Sequence, residues 1–432
     1  MGIYCIIRKL PGVSLVVDRM KDRFECLENE NIILSRQIID NRIRLKALRG
    51  EKIHVLFLCH RPAVWGSMKS IYERLCDDKN FKVTIVTIPQ LTITGEYDDE
   101  GVDSFFHGEN TVQGYRRDTD TFIDLKELQP DYVFYQQPYN MNYIPEYRSE
   151  VVSKYARICY LAYFTYMDNL AQGNPYDECY PLDFLRDVSY FFSQYDSEAE
   201  YLQNRVATLQ PYRPRIEITG YPKYDSIECY REQDSDVWKN KEWNGHFRVI
   251  WTPRWTTNEH CCHFFDYKDK ILELCRRMPD IELVFRPHPQ SWMEWEHTGE
   301  FTRVQAEQYR TEYDELNNAA IDNTAEYLGT FYHSDCLITD TSSLVPEYLL
   351  TGKPVIYCNR EKSTNKFQRG IGFSDALYWV ESWEELEKTI LRLKHGEDPL
   401  REIRKDISTK YCDRKTTAGE KITEILKRDI FG

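Results

Sequence analysis

The chain contains no apolar run long enough to cross a bilayer, no cysteines at paired spacing and no long basic stripe. A membrane-spanning helix needs about 18 apolar residues in a row, so none is expected. The opening stretch MGIYCIIRKLPGVSLVV has no small-x-small cleavage site, so a secretory leader is not expected either. The expected location is therefore cytoplasmic. The apolar start with Arg8 and Lys9 would suit the inner face of a membrane as well as a plain lead-in to a helix. The thirteen cysteines are scattered and read as reduced, mostly buried thiols. The one cluster, His260 to His263 (HCCH), is too contiguous to close a tetrahedral zinc site, whose ligands come in separated pairs. No metal and no cofactor are expected. With 56 basic against 70 acidic residues the net charge is −14, which excludes nucleic acid as the main partner.

What is present starts with a heptad. Val13, Val17, Met20, Phe24, Leu27, Asn31, Leu34, Ile38, Asn41, Leu45 and Leu48 are spaced alternately by threes and fours. That period of 3.5 predicts a coiled-coil helix and homo-oligomerisation through residues 13–49. With Val17 at a, Asn31 is also at a, where a buried amide fixes register at some cost in stability. A long amphipathic helix packed on its own domain would show much of the same pattern.

After Gly50 the pattern becomes short apolar runs separated by helical stretches. IHVLFL (53–58), FKVTIVTI (81–88), DYVFYQ (131–136), RICYLAYF (157–164), SYFFSQ (189–194) and IEITG (216–220) read as buried strands. A polar segment at 226–246 reads as a linker. The alternation resumes at FRVIWTP (247–253), IELVFRP (281–287), CLITD (336–340), PVIYC (354–358) and LYWV (377–380). Strands alternating with helices predict parallel sheets covered on both faces. The expected α/β architecture is an N-terminal heptad helix (1–50), two doubly wound Rossmann-like domains (51–225 and 247–432) and a ligand cleft between them.

Four stretches could carry chemistry. LITDTSSLVPEYLL ends a strand in Asp340 and sets Thr341, Ser342 and Ser343 before a helix that Pro346 must enter in its first turn. Hydroxyls and free N–H groups at a helix start suit an anion such as phosphate, and Glu347 could hold a ribose hydroxyl; an ordinary capped helix explains one of the serines. In VFRPHPQ, Arg286 and His288 project the same way from a stiffened strand end beside Pro289. An ion pair and a surface residue would look alike at this stage. WTPRW contributes Thr252 and the cation Arg254, and TGYPKYD places Gly220 at a turn. In the first domain, His60 and Asp168 follow strand ends and are rival candidates for general base, although a strand-end His or Asp is often only a cap.

TGYPKYD, WTPRW, RPHP, SDCLITDTSSLVPEYLLTGKPVIYC and DRKTTAGEKITEIL, in that order over about residues 215–428, resemble the CDP-glycerol glycerophosphotransferase family of teichoic-acid and capsule polymerases and primases. The resemblance implies a GT-B fold and metal-independent transfer of glycerol phosphate, or a related alditol phosphate, to a glycan or polyol-phosphate acceptor, with release of CMP. It implies that the second domain binds the CDP-alditol donor, for which the candidates are Gly220, at the end of the first domain, with Thr252, Arg254, Arg286, His288, Pro289, Asp340, Thr341, Ser342, Ser343 and Glu347; His60 and Asp168, read from their strand ends, and His288 are the catalytic candidates. The His-Pro and Ser-Ser pairs are also similar to those of transferases that use CMP-sugars. A sugar transferase with a CMP- or UDP-sugar donor and a non-catalytic assembly scaffold are the alternatives. Where teichoic-type members carry His-Gly-Thr-Pro, this chain reads CYLAYFTYMDN.

Overall fold

The computed structural model describes residues 13–91, 97–98, 102–108, 110–165, 179–225, 230, 235–241, 245–324, 326–411 and 416–432. Two units divide the chain: Met1–Ala162 with Tyr180–Thr219 and Gly419–Gly432, and Tyr163–Cys179 with Gly220–Ala418.

The first unit is built on a seven-stranded sheet of β1 (Ile53–Cys59), β2 (Phe81–Thr87), β3 (Thr111–Gln113), β4 (Tyr132–Tyr135), β5 (Arg157–Tyr160), β6 (Val188–Ser193) and β7 (Arg215–Ile218). All neighbours are parallel and the order is β7-β6-β5-β4-β1-β2-β3. Its central strands are mostly apolar and buried, His54 in β1 being a polar exception. The short edge strand β3 lacks the apolar run that marks the others, and the sequence pattern passes over it.

The heptad segment folds as one helix, α1 (Val13–Leu48). Its described heptad side chains do not pack on its own unit, however. Among the described residues of the helix, Ile39 and Ile43, which are not heptad positions, are the buried ones, at 1% and 2% exposure. Arg42 binds Asp131 (3.1 Å) and the carbonyls of Pro130 and Tyr155, Lys46 binds the other oxygen of Asp131 (2.7 Å), and Asp40 accepts from Arg157 Nε (2.8 Å). Pro130, Asp131 and Arg157 stand at the start of β4 and β5, so α1 crosses the amino-terminal edge of the sheet.

The final helix, α8 (Ala418–Phe431), lies almost wholly in the first unit, whereas the sequence pattern assigns it to the second. Ile422, Leu426 and Ile430 are buried, and Asp429 is gripped by Arg157, by Arg215 (3.2 Å) and by the Tyr132 hydroxyl (2.8 Å). Gly419 makes the approach possible: a Cβ there would stand 2.2 Å from Ser70 Oγ and 2.9 Å from the Ser70 carbonyl carbon, on α2 (Gly66–Asp77).

The second unit carries a six-stranded parallel sheet of β8 (Phe247–Thr252), β9 (Ile281–Phe285), β10 (Ala319–Ile321), β11 (Cys336–Thr339), β12 (Val355–Cys358) and β13 (Leu377–Val380), in the order β10-β9-β8-β11-β12-β13. Only the edge strand β10 escapes the sequence pattern. This is the doubly wound order in which the chain reverses direction between its first and fourth strands, and ligands bind at the carboxyl ends beside that reversal. A core of stacked aromatics around Phe264, Trp251, Phe285 and Trp295 fixes α4 (Phe264–Arg277) against the sheet.

Candidate functional site

The predicted donor residues of the second unit follow the carboxyl ends of β8, β9 and β11, the strands that flank the reversal. Thr252 is in register with Thr339, so the loops beginning at Pro253 and Asp340 leave the sheet side by side. Asp340 is 1% exposed. Its Oδ2 accepts the backbone N–H groups of Arg254 (2.9 Å) and His263 (3.0 Å), and its Oδ1 meets His263 Nδ1 at 2.6 Å. Asp340 therefore shapes the loop after β8 rather than offering itself to a ligand. Cys358 stands beside this pair, with burial pushing its thiol well above the ordinary range. Thr341 is also turned inward, bonded to the Tyr357 hydroxyl (2.7 Å) and the Asn365 carbonyl (2.8 Å). The Thr252 carbonyl accepts from Thr339, while its own buried hydroxyl closes no hydrogen bond.

Arg254 is held in a bidentate pair by Glu259 (2.8 and 2.7 Å), which also accepts from Asn365. Burial opposes ionisation of Glu259, but Arg254 and Asn365 outweigh it and keep the carboxyl below its usual range. A braced guanidinium of this kind is presented rigidly, at the cost of some of its charge.

Arg286 is braced in the same way. It donates to Asp322 (2.7 Å) and the Thr324 carbonyl (2.7 Å), and its guanidinium lies 4.6 Å from the centre of the Tyr327 ring. His288 stacks on Trp255 (5.9 Å) and accepts the Gln290 N–H at Nδ1 (3.2 Å). In the neutral ring that leaves the proton on Nε2, where it can be donated. Pro289 is exposed beside it.

Ser343 is the N-cap of α5 (Leu344–Leu349) and makes no side-chain cap; Ser342 Oγ instead accepts the Leu344 N–H (3.2 Å). Ser343 is exposed and Ser342 half-buried. The helix has only six residues, the N–H groups of Leu344 and Val345 are already bonded to the Ser342 hydroxyl and carbonyl (3.2 Å each), and Pro346 has none, so what it offers an anion is two hydroxyls rather than a long dipole. Glu347, one turn in, faces the interior. It is 3% exposed, lies 2.9 Å from Lys223 Nζ and accepts from the Tyr327 hydroxyl, and Lys223 also donates to Tyr327. Burial and Glu347 hold the Tyr327 phenol far above its ordinary range, so it stays protonated. Glu347 is a strut, not a ribose ligand. Gly220 turns the chain into this lysine with φ +87, a value L side chains rarely adopt.

Tyr327, Asp322 and Glu259 are the functional neighbours that the sequence did not single out. Tyr327 joins TGYPKYD, RPHP and SSLVPE into one network; Asp322 follows β10, a three-residue edge strand too short to mark the sequence pattern.

The first unit places His60 at its own reversal, just after β1. The His60 and Arg61 N–H groups both donate to Gln136 Oε1 (2.8 and 2.9 Å). The ring is buried against Tyr143, and neither ring nitrogen closes a hydrogen bond. Burial, helped by Arg61 and opposed by Gln137, pushes His60 down to about 3. A base that weak is poorly matched to work near neutrality. Asp168 lies outside the described residues.

None of the curated proteins searched matches the chain. Its fold is similar to that of the UDP-GlcNAc 2-epimerase from Neisseria meningitidis bound to UDP-GlcNAc (13% identity, 87% of this chain and 100% of that one, TM-score 0.53). It is also similar to S. aureus MnaA with UDP (12%, 87% and 96%, 0.56) and to a variant of the wall teichoic acid polymerase TagF soaked with CDPG (16%, 96% and 98%, 0.56). These likenesses establish a GT-B-type α/β fold. Residues 187–426, more than half of the chain and including every motif of the second unit described above, match the sequence profile of one family: the chain belongs to the CDP-glycerol:poly(glycerophosphate) glycerophosphotransferases.

Proposed function

We propose that the protein transfers glycerol phosphate, or a related alditol phosphate, from its CDP-activated form to a hydroxyl of a teichoic-type or capsular polymer, with release of CMP. The observation that carries this reading is the single braced network in the second unit, which gathers the motifs around one sheet reversal. The exposed Ser343 hydroxyl, the Ser342 hydroxyl and the Nε2–H of His288 are the donors suited to a pyrophosphate. Arg254 and Arg286, each fixed by a carboxylate, add positive charge.

In the proposed step an acceptor hydroxyl oxygen attacks the β-phosphorus and forms the new P–O bond. The bond from that phosphorus to the bridging oxygen breaks, and CMP leaves with the electron pair. The hydroxyl proton passes to a base, for which Asp168 is the candidate retained in place of His60. Donors aimed at the leaving phosphate stabilise its growing charge, and His288 is assigned to that side because Nδ1 accepts from Gln290, which puts the proton of the neutral ring on Nε2. The step is proposed to need no metal and no cofactor. The proposed setting is the cytoplasm, at the inner membrane face where a polymer end would be met, with self-association through residues 13–49.

The test offers CDP-glycerol, CDP-ribitol, a CMP-sugar and a UDP-sugar with a polyol-phosphate acceptor and measures free nucleotide. CMP from a CDP-alditol alone is expected. Release only from a sugar nucleotide would overturn the proposal in favour of a glycosyltransferase, and failure to bind CMP or CDP at millimolar concentration would favour a scaffold.

A further inference from the structure

Every described a and d position of the heptad is exposed. Met20, Phe24, Leu27, Leu34, Ile38, Leu45 and Leu48 range from 41% to 84% exposure, and Asn31 and Asn41 are exposed with them. The helix docks on its own unit through the other side, by Ile39, Ile43, Arg42 and Lys46. A sequence pattern built to be buried is thus left uncovered by its own fold, over most of a 36-residue helix. It also stands at the amino-terminal edge of the first sheet, away from the strand ends that follow His60.

The geometry points to a second copy of this chain as the occupant, pairing through α1 in antiparallel fashion. In an antiparallel coil an a residue faces a d residue of the partner helix. One alignment, with its two-fold axis midway between Leu34 and Ile38, sets Asn31 opposite Asn41 of the other copy. The same alignment sets Phe24 opposite Leu48, Leu27 opposite Leu45 and Leu34 opposite Ile38. Both amides are then matched with an amide, and every remaining pair is apolar. The flanking g positions bring Glu30 against Arg44, twice by symmetry. Arg49, which would otherwise face Lys21, already lies 3.8 Å from Glu51. Parallel in-register pairing gains Arg23 against Glu28 but sets Arg44 against Arg49. A lipid surface is a poorer occupant, because Asn31 and Asn41 would enter it without partners.

This pairing rests on the self-association proposed above and is independent of the transfer chemistry. Light scattering of the full chain should give about twice 51.6 kDa. Leu34→Glu/Ile38→Glu should give a monomer with unchanged circular dichroism, since both positions are exposed in the single chain. Glu30→Arg and Arg44→Glu should each weaken the dimer on the order of 10-fold, and the double exchange should restore it. A monomer at all concentrations, or a dimer that survives Leu34→Glu/Ile38→Glu, would overturn pairing through this seam. Tightening by Arg44→Glu alone would overturn the antiparallel arrangement and leave self-association standing. A monomer that sediments with anionic vesicles only when the seam is intact would assign the surface to the membrane instead.

Discussion

The buried pair Lys223–Glu347 gives the sharpest test of how the site is held. The two side chains are 6% and 3% exposed and 2.9 Å apart. At an effective dielectric constant of about 20 their attraction is about 6 kcal/mol, most of it offset by the loss of hydration of both ions. Removing one partner takes away the attraction but leaves the other charge buried. Lys223→Met or Glu347→Gln should therefore each cost about 3–5 kcal/mol, whereas the double substitution should cost much less than the sum. Urea unfolding followed by tryptophan fluorescence would report this in the transition of the second unit, analysed separately because the chain has two units. The single variants should also release CMP slowly, since the pair ties the segment after Gly220 to the helix behind Ser343. A cost below about 1 kcal/mol for Lys223→Met, or full additivity in the double variant, would refute the picture of a desolvated strut.

Other outcomes follow from the same geometry. Ser343→Ala and His288→Ala should each lower CMP release on the order of 10²–10³-fold with unchanged unfolding midpoints, as for loss of one well-aimed donor. Arg286→Lys keeps the charge but loses the fork to Asp322 and Thr324, so a large fall in turnover is expected; wild-type activity would show that only charge matters. His60 titrates at about 3 when folded against an ordinary 6.5, so below pH 6.5 the unfolded chain binds a proton that the folded chain refuses. Stability should thus fall by up to about 1.4 kcal/mol per pH unit from pH 6.5 towards 3, and His60→Gln should flatten that slope. Gly419→Ala should cost about 1–3 kcal/mol by driving α8 off Ser70, read as a lower melting temperature of the first unit.

Much of the fold is legible in the sequence because buried parallel strands are predominantly apolar, which marks both sheets apart from the short edge strands at Thr111 and Ala319. The order of the motifs and the start of α5 are legible for a similar reason: Pro346 admits only one place in a helix. Side-chain roles are not, because they depend on partners distant in the chain. Asp340 and Glu347 look like ligands in sequence, yet one spends its oxygens on Arg254 and His263 and the other on Lys223 and Tyr327. Arg254 could not be known to share its charge with Glu259 until the loop between them was closed. The heptad was visible at once, but the docking of its helix through Ile39 and Ile43 was not, since two apolar residues leave no period.

The return of the last helix to the first unit has a consequence for biosynthesis. Asp429 closes a cluster with Arg157 and Arg215, residues that leave the ribosome more than two hundred positions earlier. The first sheet can assemble early, but Arg157 keeps an unfinished charge cluster until α8 has been made. A chain that stalls before α8 or is cut ahead of it would then carry Tyr132 and Tyr190 uncovered beside two arginines, a marker by which quality control could tell copies lacking that helix from those that have it.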